Sequence, residues 1–125
     1  MFADPYSPTK EELYKWGKVE GALVPCEDFD LLLDLTVDEG IEFVLDNEMS
    51  KSGKQFFLSY VCLRLGELLR ARKYKEAKEF IKTHQNHSSQ LIKQLCNKLE
   101  QALSQSFSYH YWCSGGLSNE LLGNK

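Results

Sequence analysis

Between residues 19 and 50 there is no lysine or arginine, although ten acids fall in that stretch: Glu20, Glu27, Asp28, Asp30, Asp34, Asp38, Glu39, Glu42, Asp46 and Glu48. No apolar run reaches bilayer-spanning length, and the first 18 residues hold none of signal-peptide kind, so a cytoplasmic chain that does not enter a membrane is expected. Cys26, Cys62, Cys96 and Cys113 form no CxxC pair, which removes the usual zinc layouts. In a reducing compartment such residues act as small hydrophobes, and Cys62 and Cys96 are expected in the core. Also missing are GxGxxG, GxxxxGK[ST] and GxSxG, and with them the common dinucleotide, phosphate-loop and hydrolase signatures.

What is present is an ordinary globular composition in 125 residues, 42% hydrophobic and 26% charged. That is enough chain for one domain over 1–125 with its own core. The stretch 55–69 organises it. Phe56, Phe57, Leu58, Tyr60, Val61, Cys62, Leu63, Leu65, Leu68 and Leu69 leave almost no polar side, the pattern of a helix buried on several faces. Ser52 and Gln55 are spaced as a capping box at its start.

Upstream, Ser7 with Pro8, or Thr9 with Glu12, opens a first helix through Leu13 and Trp16 that Gly21 ends. Phe29, Leu32, Leu33 and Leu35 suggest a second, with Asp28 and Asp30 in its first turn. Asp38 is placed to cap a third through Ile41, Val44 and Leu45. Downstream, 73–84 carries Tyr74, Ala77, Phe80 and Ile81 on one face. Ser88 is then placed to cap an amphipathic run from Leu91 to Leu103. The expected fold is therefore all-α, a compact bundle of about six helices around a central buried one. Phe107, Tyr109 and Tyr111 alternate with polar residues, so the C-terminal part is expected as an extended aromatic strap pinned by Trp112, with a short tail over 117–122.

The net charge of −3 conceals two halves of opposite sign, since residues 51–100 hold eleven bases against four acids, a net of +7. Such asymmetry suggests a charged partner, although the two halves could also pair with each other inside the fold. Acids in first helical turns are explained by the helix dipole. Asp34, Glu42 and Asp46, read as mid-helix or near a C-terminal end, gain nothing from it and are the leading partner-binding candidates. Asp30, Asp38 and Glu39 extend that surface, and Trp112 is a candidate aromatic anchor.

His84 and His87 stand at i, i+3 without a third or fourth ligand nearby, and no His, Ser or Lys completes a catalytic set with the carboxylates. Neither metal, cofactor nor enzymatic activity is expected. Arg70, Arg72, Lys73, Lys75 and Lys78 form a basic patch that could hold a phosphate backbone, against which the pI of about 5.6 argues. Leu65, Gly66, Tyr74, Ala77 and Phe80 resemble part of a tetratricopeptide-type hairpin, but no second copy follows at a 34-residue period. A helical-hairpin adaptor for another cytosolic protein is thus one alternative, and a nucleic-acid-binding module another.

In size, helical pattern, acidity and lack of catalytic motif the chain resembles the small acidic immunity proteins of bacterial contact-dependent growth inhibition systems. The run over 29–45 and the core start at Phe56, Phe57, Leu58 and Tyr60 carry the same resemblance. It implies toxin neutralisation by a tight protein-protein complex, often with a nuclease, whose basic cleft an acidic surface could occupy. It transfers no individual binding residues.

Overall fold

Thr9, Thr36 and Ser50 open the first three helices among the described residues, each by placing a hydroxyl oxygen where an unpaired backbone N–H needs an acceptor. A computed structural model describes residues 2–4, 6–25, 29 and 33–123. Thr9 and Glu12 form a reciprocal capping box on α1, Lys10–Gly17, and Thr36 and Glu39 form another on α2, Val37–Leu45. Ser50 Oγ accepts from Gly53 N at 2.9 Å at the head of α3, Lys51–Arg70. The cap of α1 is therefore Thr9, not Ser7, and the helix stops at Gly17, four residues before Gly21. Asp38 lies inside the first turn of α2 instead of capping it. Ser52 lies inside α3, since the hydroxyl two residues earlier reaches the N–H first.

Four further helices follow: α4, Tyr74–His84; α5, Gln90–Ser104; α6, Tyr109–Cys113; and α7, Gly116–Leu121. Among the described residues there are seven helices and no strand, so the fold is all-α. Two features depart from expectation. The segment 33–36 leading into α2 is not helical, and most of the rest of the proposed Phe29–Leu35 helix lies outside the described residues. The aromatic strap is helical as well. Ser108 accepts from Tyr111 N at 3.2 Å and starts α6, and the expected tail is α7, whose Leu117 is buried. Alternation over Phe107, Tyr109 and Tyr111 imitates a strand, but a capping hydroxyl inside that alternation sets a helical turn.

The chain divides into two compact units, Met1–Val61 and Cys62–Lys125. In the first, Trp16, Phe29, Phe43, Phe56 and Phe57 make a cluster of rings. Trp16 meets Phe56 edge-on at 4.9 Å between centroids, and Phe43 meets Phe57 at 4.8 Å. Tyr60 is buried there and donates to the Leu35 carbonyl at 2.5 Å, which anchors the segment entering α2. The approach of α1 to α3 is close enough that a Cβ on Gly53 would stand 2.2 Å from the Gly17 carbonyl oxygen. Only glycine fits.

The second unit has an aliphatic core of Leu65, Leu69, Ala77, Ile81, Ile92, Leu95, Leu99 and Leu117, with Trp112 among them. The α3 helix ends in a Schellman motif: Lys73 N donates to the Leu68 carbonyl, and Arg72 N to that of Leu69. Arg72 takes the left-handed conformation there, at φ 59°, a place more often held by glycine. As the central helix, α3 gives buried residues to both cores, Phe57, Leu58, Tyr60 and Val61 to the first and Cys62, Leu63, Leu65 and Leu69 to the second. Cys62 and Cys96 are interior, and burial pushes their thiols up to about 12 and about 11.

Candidate functional site: an acidic unit and its apolar trough

The division into units sharpens the charge asymmetry. Met1–Val61 carries thirteen acids against five bases, a net of −8, and Cys62–Lys125 carries ten bases against five acids, a net of +5.

Much of the acidity has local work. Glu12 and Glu39 close capping boxes, and the hydrogen bonds they accept from Thr9 and Thr36 hold both carboxyls below the usual range. Glu20 Oε2 accepts from Ser52 N at 2.8 Å in the first turn of α3 and is lowered for the same reason. Asp46, the C-cap of α2, accepts from Glu48 N at 2.8 Å and from the Tyr14 hydroxyl at 3.1 Å. Partial burial, then Asp46 and Glu48, keep that phenol protonated and push it up to about 12.

Lysines in α1 and at its C-cap take up more of the charge. Lys10 stands 3.2 Å from Glu39 and 3.8 Å from Glu42, Lys15 is 3.2 Å from Glu11, and Lys18 is 3.6 Å from Glu48. Each pair reaches solvent, and pairs of this kind contribute about 0–1 kcal/mol. They leave the unit strongly negative.

The partner-binding candidates therefore separate. Asp38, Glu39 and Glu42 lie in α2, and Asp46 ends it. Asp34 is exposed in the non-helical segment just before them, and Glu42 is exposed and meets Lys10 at the longer distance. Asp46 and Glu39 are half-buried and engaged in the fold. Asp30 lies outside the described residues. Trp112 belongs to the second unit and is 4% exposed, so its indole is core and offers no surface anchor. The other tryptophan belongs to the acidic unit itself. Trp16 lines an apolar trough of about 360 Å³ on the first unit, together with Val19, Val24, Gln55, Phe56 and Ser59.

In the second unit, His87 Nδ1 accepts from Ser89 N at 2.9 Å just ahead of α5, and the His84 ring lies 4.4 Å from that of Phe80. Among the described residues no group of three or more His, Cys, Asp or Glu side chains is arranged to hold a metal. None of the described helices is long and apolar enough to cross a membrane. Lys75, Lys78 and Lys82 form a basic stripe along the solvent side of α4, with Glu79 beside them. Arg70 instead lies over the Tyr109 ring, 4.7 Å from its centroid, while the Tyr109 hydroxyl bonds Glu67.

No family model, no curated protein and no solved structure matches the chain.

Proposed function

We propose that this chain is an immunity-type binding protein that neutralises a bacterial toxin by covering a basic surface of it with the acidic face of the Met1–Val61 unit. The observation that carries the reading is the net charge of −8 on that unit, left after Lys10, Lys15 and Lys18 are already engaged with acids. A nuclease is the toxin class such a face suits, because a cleft that holds a phosphate backbone must be positive. Asp34 and Glu42 make the direct contacts. Asp38, Glu39 and Asp46 add to the field that steers encounter. The resemblance to immunity proteins of contact-dependent growth inhibition systems supports the same function.

The test is surface binding kinetics between this protein and the toxin domain encoded beside its gene. The Asp34→Lys, Glu42→Lys variant is expected to associate at least tenfold more slowly at low salt, with the difference shrinking as salt rises. Unchanged association and affinity would remove the electrostatic mechanism.

The lysine stripe of α4, on a unit of net +5, favours a second reading, a module that binds nucleic acid. A gel shift with single-stranded RNA that weakens steeply with salt, and that Lys75→Glu with Lys78→Glu abolishes, would promote it.

A further inference from the structure

Folding hides large apolar side chains where it can, yet one loop of the first unit leaves three of them out. Leu23 is 87% exposed, Val19 59% and Val24 50%. Val19 and Val24 line the trough walled by Trp16 and Phe56, and Leu23 stands in the chain between the lining residues Ala22 and Val24. Their exposure is not that of a loose end, because the loop is tied back by a bond from Trp16 Nε1 to the Leu23 carbonyl at 3.0 Å. The walls are set in advance too. Trp16 packs edge-on against both Phe56 and Phe57, and the Gly17–Gly53 approach locks α1 to the start of α3 behind them. A pocket that keeps its shape without a ligand loses little freedom when one arrives.

The charge of the unit that carries the trough decides what fits it. The carboxylate of Glu20 is bonded to the backbone of Ser52, which lines the wall between Lys51 and Lys54, and against those two bases the unit as a whole is at −8. An apolar opening on so acidic a body selects a segment that brings an apolar side chain with cations beside it, and disfavours a neutral or acidic one. We infer that the trough is the anchor point of the partner-binding face, receiving a leucine-like or aromatic side chain from a lysine- or arginine-rich amphipathic segment. This rests on the reading of the Met1–Val61 unit as a protein-binding surface, and it names the part of that surface that supplies contact as distinct from steering. Buried apolar anchors, not rim charges, hold most complexes together once formed.

The experiment uses the full chain with Trp112→Phe, so that Trp16 alone fluoresces, titrated with a synthetic 14-residue peptide of leucine and lysine in amphipathic helical order. A peptide of the same composition with the leucines dispersed is the control. Saturable change in Trp16 emission is expected with the amphipathic peptide, weaker by at least tenfold with the control and with the Leu23→Asp, Val24→Asp variant. Equal binding by either would overturn the proposal, because bulk charge would then account for it. Should Trp112→Phe fail to fold, the Trp16 indole N–H resonance of the unaltered protein gives the same readout. The Asp34→Lys, Glu42→Lys protein separates the two readings. If it binds the peptide normally while the loop variant does not, the trough stands and the steering surface falls; the reverse pattern removes the trough.

Discussion

The two units reach stability by different means. In Met1–Val61 the starts of α1, α2 and α3 are closed by side-chain hydroxyls, two of them in capping boxes completed by glutamates, and the core is built around a cluster of aromatic rings. In Cys62–Lys125 the starts of α4, α5 and α7 make no side-chain cap bond, only α6 does, and the core is mostly aliphatic. The comparison teaches that the negative charge of the first unit has two sources. Part of it is structural, spent on backbone N–H groups by Glu12, Glu20 and Glu39. Asp34 and Glu42 are different: both are exposed, and neither lies in the first turn of a described helix, where the dipole would reward it. A count of acids along the chain mixes the two.

The largest effect expected comes from the ring cluster. Phe57→Ala removes a fully buried ring that touches Trp16, Phe43 and Phe56, and urea denaturation should show a loss of about 3–5 kcal/mol. Leu95→Ala in the aliphatic core should cost toward the lower end of about 2–5 kcal/mol, and a larger cost there would break the contrast between the cores.

Next is the contact between α1 and α3. Gly53→Ala puts a methyl against the Gly17 backbone, which cannot turn aside as a side chain would, so a loss of about 1–3 kcal/mol is expected by thermal unfolding.

The capping contrast is sharpened by a pair of smaller changes. Thr36→Ala should cost about 1 kcal/mol, whereas Ser89→Ala, at a cap whose hydroxyl makes no cap bond, should stay within about 0.5 kcal/mol. Equal losses would mean that the hydroxyls are not what distinguishes the units.

Acid gives the last test. Glu12, Glu20 and Glu39 have folded-state values below the ordinary 4.5, so the stability they add is complete above that value and fades as pH falls through the lowered ones. Urea midpoints should therefore drop below pH 4.5, and a Glu20→Gln, Glu39→Gln variant should show a flatter decline.

The central helix, α4 and α5 were legible in the sequence, because their apolar positions recur at helical spacing over many residues and burial enforces what periodicity suggests. Short elements were not. Thr36 and Glu39 spell a capping box, but a helix drawn through Leu35 hides it; Ser108 was masked in the same way by the strand-like alternation around it. The candidate acids could be found from composition alone, while their sorting could not. Lys10 meets Glu39 from 29 positions earlier in the chain, and no reading of residues 19–50 in isolation contains that contact. The trough was invisible for the same reason, since Trp16, Val24 and Phe56 become neighbours only when α1, its exit loop and α3 come together.

Ser50 has a consequence of its own. Its hydroxyl donates to the Gly17 carbonyl at 2.5 Å while accepting from Gly53 N, and two residues on the Ser52 hydroxyl receives Gly21 N at 2.8 Å. The tail of one helix and the head of another thus share a single latch, and neither can fray by itself. Deuterium should enter the Gly21 and Gly53 amides at a common rate set by the opening of that corner, which makes the pair a local clock for the region that carries the trough.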